Sequence, residues 1–349
     1  MIIALFVPSF TMFGTYRTFL ALMVVALHLG GVPKIGAYAV FGFYCLSGYL
    51  MTLIMQNNYG YTINGVGKYA LNRFLRIYPI YWFSALFSLA LIGYLGNDYT
   101  SGYHRAIYMP DDFLAIAKNV LLFFPFMETP RLTPPAWALT VEIFFYILIG
   151  LGISRNKRFT LAWFAISVLY HVGALAFQLG WTHRYFTVFA ASLPFSSGAL
   201  IFHYRSELTA HIQRLPENLL RYLPFILLFM ILLNWSLGAA LGQSAGFFFY
   251  SNYVLCAVMV AVLLDRRELP FINLGLDKWL GDFSYPIYLI HYQVGMVVMV
   301  GLAAMGFDFQ RPSLILMTVS IPIIFLFSWA MTIILERPIE LIRAKVKKG

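Results

Sequence analysis

Long apolar runs separated by short polar turns cover nearly the whole chain, at about 15–32, 36–56, 77–96, 137–153, 159–178, 185–204, 221–239, 246–264, 283–305 and 313–335. Crossing a hydrocarbon layer of ~30 Å as an α-helix takes roughly 20 such residues. Lipid offers the backbone no hydrogen-bond partner, so runs of this kind must close their own amide bonds as helices. The pattern therefore predicts an all-α polytopic membrane protein with about ten transmembrane helices. An eleventh run, near 113–127, is shorter and ends in FFPFMETPRLTPP, whose prolines disfavour a continuing helix. It is expected to be re-entrant or interfacial.

Charge assigns the faces. With a cytoplasmic N-terminus and 113–127 not crossing, five basic clusters share one side: Lys68, Arg73 and Arg76; Arg155, Lys157 and Arg158; Arg205, Arg214 and Arg221; Arg266, Arg267 and Lys278; Arg337, Arg343, Lys345, Lys347 and Lys348. Lys34, Arg105, Lys118, Arg131, Arg184 and Arg311 fall on the other, and Arg17 begins the first span. This asymmetry predicts both termini inside. A crossing at 113–127 would move the basic SRNKR segment to the far side and break the bias.

Composition narrows the class further. At 61% hydrophobic and 11% charged, the chain lies outside the range of soluble domains. Its apolar runs leave no stretch for a separate aqueous core, so one membrane domain is expected over 15–338, between an apolar lead-in at 1–14 and a basic cytoplasmic tail at 339–349. The net charge of +10 is spread over short loops, which fits topology and not nucleic acid. Cys45 and Cys256 sit in apolar runs as small packing residues. The start, MIIALFVPSFTMF, has neither a basic leader nor a small-residue cleavage site, so no removable signal peptide is expected.

A few polar groups stand where packing alone would prefer leucine. Arg17 and His28 share the first run, eleven positions apart. On a helix that is about 16 Å of rise and within roughly 20° of one face. Facing lipid would cost several kcal/mol, so they face protein, water or ligand. They are either a functional pair or two markers of the ends of the span. Ser47-Gly48 allows close approach of a backbone or a ligand. Arg73 and Arg76 are neighbours on one helix face, a clamp for phosphate or simple anchors at the inner boundary. Glu142 follows Trp137 inside a span and needs a cation or a proton, as a structural ion pair or as a group that orients chemistry. In SYPIYLIHYQ, Ser284, Tyr288, His291 and Tyr292 recur at helical spacing. Glu336 is expected to accept a salt bridge from an inner arginine. His104, His171, His183, His203 and His211 lie in loops or near span ends without a partner at ligand spacing, and no HExxH or CxxC is present, so no metal site is expected.

The pieces RTFLALMVVALH, FYCLSGYL, RFLR, WALTVEIFFY, LPFSSGALIF, SYPIYLIH and LERP, in this order, resemble the acyltransferase 3 family of integral-membrane acyltransferases, which includes O-acetyltransferases of surface polysaccharides. The resemblance implies transfer of an acyl group, usually acetyl, from cytoplasmic acyl-CoA to a carbohydrate hydroxyl. It also implies residence in the inner (plasma) membrane of a bacterium. The family's first-helix Arg and His fall on Arg17 and His28, its double-arginine motif on Arg73 and Arg76, and its Trp-to-Glu motif on Trp137 and Glu142.

On this footing Arg73 and Arg76 are expected to bind the donor's phosphates, with His28 as general base on the acceptor hydroxyl. Arg17 lies too far below His28 to share one reacting atom, and is assigned to the donor arm or to a carboxylate, Glu142 first. Ser47, Trp137, Tyr288 and His291 are expected on substrate, with Ser47, Tyr288 or backbone amides as oxyanion donors. Acetyl-CoA enters as co-substrate, with no tightly bound cofactor. The acceptor is a carbohydrate, lipid-linked or free. Arg17 and His28 should line one continuous cavity open to both sides. The rival readings are a transporter or flippase for a lipid-linked or anionic solute, since intramembrane Arg, His and Glu also mark transport paths, and a non-catalytic export scaffold.

Overall fold

The computed structural model describes residues 12–264, 266–307 and 309–348, so most of the expected lead-in, residues 1–11, lies outside the described residues. The chain runs α1 (Gly14–His28), α2 (Ile35–Ile54), α3 (Ile63–Leu95), α4 (Asn97–Tyr103), α5 (Phe113–Leu121), α6 (Ala136–Gly150), α7 (Lys157–Ala176), α8 (Trp181–Tyr185), α9 (Val188–His203), α10 (Arg205–Ile212), α11 (Glu217–Ala240), α12 (Phe247–Val262), α13 (Leu274–Ala304), α14 (Leu314–Met331) and α15 (Arg337–Lys348). The ten apolar runs fall on α1, α2, α3, α6, α7, α9, α11, α12, α13 and α14. Among the described residues, seven helical stretches are long and apolar enough to cross a membrane, while α6 and α12 are shorter apolar helices. The polar turns supply the helix starts: Thr62, Asp112, Asn156, Thr187, Asn273 and Ser313 each accept a first-turn amide with their side chain.

The segment around α5 leaves and returns at one point. The Arg131 amide donates to the Ala106 carbonyl at 2.7 Å, which closes the loop that carries α5. Nine residues of helix rise only about 13 Å, too short to cross. Its far end tucks between α3 and α6, where Tyr81 and Trp82 donate to the Asn119 and Val120 carbonyls and the Thr140 hydroxyl bonds both Leu122 and Phe124. The segment thus turns back instead of continuing as a spanning helix.

Contacts join the loops that carry the basic clusters. Arg155 lies over the Tyr61 ring, Lys157 pairs with Glu207, Arg76 pairs with Glu336, and Arg343 donates to the Asn72 side chain. At the other end, Arg311 donates to the Tyr103 and His28 carbonyls and Arg184 to the Ala245 carbonyl. The bundle thus has a strongly basic face and an opposite, less charged one.

Helix association in lipid rests on close packing and polar ties, because hydrocarbon is as apolar as leucine. α2 is central, with 83% of its apolar window buried, whereas α11 has 22% and presents its face outward. α1 and α13 run parallel in one register. Gly14 pairs with Asp277 and His28 with His291, both 263 positions apart. Two glycines permit the approach: a methyl added to Gly281 would lie 2.6 Å from the Gly14 Cα. Asp277 takes the free amides of Gly14 and Thr15 at 2.8 and 2.7 Å, capping α1 with a carboxylate where the helix dipole favours one. Arg311 covers the opposite end of α1. α13 is tied to α3 by Gln293, which donates to the Ser84 and Ser88 hydroxyls.

Candidate active site

Two cavities lie back to back along the bundle and meet at Val40 and Tyr288, which line both. The one towards the basic face encloses about 150 Å³ and is lined by Arg17, Ser47, Arg73, Arg76, Glu142 and Tyr146 among others. The one towards the opposite face encloses about 220 Å³ and is lined by His28, Lys34, His104, Arg131, Trp137 and Trp181 among others. The single cavity expected to join Arg17 to His28 is therefore divided. Val40 on α2 and Tyr288 on α13 form the partition, and the Tyr288 hydroxyl is anchored on the Pro135 carbonyl at 2.9 Å.

Three guanidiniums converge on the inner cavity. Arg76 is compensated by Glu336 at 3.2 Å, as expected of Glu336. Arg73 donates to the Asn72 side chain and to the Met51 sulfur. Its buried Nε has no hydrogen-bond partner among the described residues. Arg17 does not pair with Glu142. It donates instead to the Ser284 hydroxyl and, at 2.9 Å, to the Gly281 carbonyl, both on α13. Glu142 is held from the other side, accepting from Ser47 at 2.6 Å and from Tyr146 one turn further along α6. The cavity thus offers cationic donors on one wall and a hydroxyl-bound carboxylate on the other.

In the outer cavity a chain of bonds fixes the tautomer of His28. His291 Nδ1 lies 2.9 Å from the Tyr288 carbonyl, an acceptor only, so this nitrogen carries the proton. A neutral imidazole then has a bare Nε2. That atom is 2.9 Å from His28 Nδ1, and the two ring planes differ by 3°. His28 therefore donates from Nδ1 and keeps its Nε2 lone pair, which has no protein partner among the described residues. Tyr292 packs against both imidazoles, at 4.9 and 4.8 Å between ring centroids. His291, expected on substrate, lines neither cavity; it is fully buried and touches His28 instead.

The remaining expected residues divide between the cavities. Ser47 lines the inner one on Glu142, and Trp137 lines the outer one, edge-on to Tyr185 and Phe186. Tyr288 stands between them. Sequence reasoning missed Lys34, His104 and Arg131. His104 lines the outer cavity, and its Nδ1 accepts the Ala106 amide at 3.2 Å. Burial, and then the charges of Arg311, Arg131 and Arg105, push its pKa down to about 3, so it is neutral at physiological pH. The one local hint was that RLTPPAW carries an arginine six residues before the tryptophan of a matched motif.

A family model described as an acyltransferase domain matches residues 15–333. Comparison with curated proteins and with solved structures gave no match.

Proposed function

Since the chain belongs to the acyltransferase 3 family, whose model spans nearly all of it, we propose that it transfers an acetyl group from cytoplasmic acetyl-CoA to a carbohydrate hydroxyl of a surface polysaccharide or its precursor, in the inner membrane of a bacterium. The observation that carries this reading is the pair of cavities sharing Val40 and Tyr288, one with arginines and the other with an oriented histidine. The basic face is cytoplasmic by the positive-inside rule, and ten helices cross.

The donor's phosphates bind at Arg73 and Arg76, whose planar forks suit such anions. Its acyl arm passes along Arg17 and Glu142 to Tyr288. From the other face the acceptor hydroxyl approaches His28. As its oxygen attacks the thioester carbonyl, its proton passes to His28 Nε2. The C–S bond breaks, the ester bond forms, and coenzyme A leaves as a thiolate that takes up a proton. His291 keeps His28 in the tautomer that can accept. Arg17 and Glu142 hold the arm, with Arg17 fixed by Ser284 and Glu142 by Ser47. The oxyanion is met by Tyr288 or by backbone amides near the partition.

The test is purified protein in detergent with labelled acetyl-CoA and carbohydrate acceptors. His28→Ala should abolish acceptor-dependent thioester cleavage while the protein keeps its yield and melting temperature. Undiminished transfer by His28→Ala overturns the mechanism. An intact donor under all conditions, together with uptake of solute into vesicles, favours a transporter instead.

A further inference from the structure

Among the described residues, the outer cavity carries positive charge without a carboxylate to balance it. Arg131 is only 4% exposed. Its Nε donates to the Pro134 carbonyl at 2.7 Å and its Nη1 to the Glu128 carbonyl at 3.1 Å. Among the described residues no carboxylate lies within ion-pair distance of it, and both protons of Nη2 lack a protein partner. Glu128, the nearest acid in sequence, gives its oxygens to Lys118 and to the Phe126 amide. Lys34 lines the same cavity, its ammonium 4.4 Å from the centre of the Trp181 ring. A buried guanidinium with no counter-charge is costly, and an incoming anion removes that cost.

The charged groups that line the cavity are correspondingly one-sided. Among the described residues its lining includes no Asp or Glu. The hydroxyls of a neutral sugar both donate and accept, and sites that bind one commonly supply a carboxylate to take their protons. Here Lys34 and Arg131 can only donate, and neutral His104, whose Nδ1 is taken by the Ala106 amide, donates from Nε2. The lining tyrosines, Tyr185, Tyr288 and Tyr292, carry neutral hydroxyls, and His28 Nε2 is the base that suits one hydroxyl proton. One base beside a set of cationic donors fits a molecule with one hydroxyl to acylate and an anionic group nearby.

We propose that the acceptor is an anionic carbohydrate, its carboxylate or phosphate held by Arg131 and Lys34 while a hydroxyl on the same sugar meets His28. The aromatic walls formed by Trp137 and Trp181 flank the ring. This rests on the reading of the protein as an acyltransferase, because it names the acceptor of that reaction.

Matched acceptors test it: the methyl glycoside of a uronic acid, a hexose phosphate, and the methyl glycoside of the neutral hexose. With acetyl-CoA, kcat/KM should be at least about tenfold higher for one of the anionic sugars than for the neutral one, the scale of a charge-assisted hydrogen bond. The better of the two identifies carboxylate or phosphate. Arg131→Gln and, at a half-buried loop position where folding is less at risk, Lys34→Gln should each bring the anionic-to-neutral ratio towards one. Equal use of all three sugars, or a ratio unchanged in both variants, overturns the anion site while leaving acyl transfer standing. Thermal stabilisation by the sugars without donor is read in parallel. Stabilisation by an anionic sugar that is lost in Lys34→Gln, with no thioester cleavage under any condition, keeps the anion site and overturns the acyltransferase reading. Absence of both stabilisation and preference overturns the anion site.

Discussion

His28 Nδ1 lies 2.9 Å from His291 Nε2, and this bond decides which nitrogen of His28 is left to accept a proton. The partner is itself locked by the carbonyl of Tyr288, one helical turn back. The arrangement follows the same logic as a buried acceptor that orients a catalytic imidazole, with a second imidazole in the role of the acceptor.

His291 should therefore act on kcat through His28 and not on substrate affinity. His291→Leu is expected to lower kcat by ~100-fold or more, within the range of general-base catalysis, with the KM for acetyl-CoA unchanged. His291→Gln, which can still place an oxygen against the Nδ1 proton, should recover part of the rate. Initial-rate kinetics of the two variants check this. Equal losses in both, or a rise in KM alone, argue against a positioning role.

The register that brings the histidines together is set about 20 Å away, by the rise of α1. A methyl at Gly281 would sit 2.6 Å from the Gly14 backbone, with no flexible side chain to move aside. Gly281→Ala should destabilise by about 1–3 kcal/mol, the usual cost of overpacking. It should also lower kcat by displacing His28 from His291. Melting temperature and kcat fall together if the contact sets the register, whereas a stability loss with unchanged kcat separates the two.

Arg73 and Arg76, proposed to hold the donor, should respond differently although both line the inner cavity. Arg73→Ala removes charge-assisted bonds to the donor, each worth roughly 1.5–3 kcal/mol, so the KM for acetyl-CoA should rise at least about tenfold with little change in stability. Arg76→Ala also strands the buried Glu336 carboxylate, a loss of about 3–5 kcal/mol. Arg76→Ala with Glu336→Gln should restore stability but not donor affinity. Melting curves and acetyl-CoA titrations of the three proteins check this; identical stability of Arg73→Ala and Arg76→Ala would refute the distinction.

Much of this was legible in the chain because lipid is an unforgiving solvent. Ten apolar runs lie on helices, and the prolines after Leu122 mark a segment that turns back. Arg17, His28, Arg73, Arg76 and Glu142 stood out as costly residues, and all five line the two cavities. Their partners were not legible. Arg17 and Glu142 have opposite charges and line one cavity, yet Arg17 is taken by α13 and Glu142 by Ser47 and Tyr146. His291 shares helical spacing with substrate-facing candidates, and only the register of α1 on α13 turns it towards His28.

The sequence by itself determined the helices and the residues too polar to face lipid, because each follows from local composition and the bilayer. Tertiary structure decided which of those residues meet. The cavity is divided by side chains from α2 and α13, and its outer half is lined by Lys34, His104 and Arg131 from separate loops. Such meetings depend on helix register and on loops far apart in the chain, and no local pattern encodes the few ångströms that separate a hydrogen bond from a miss.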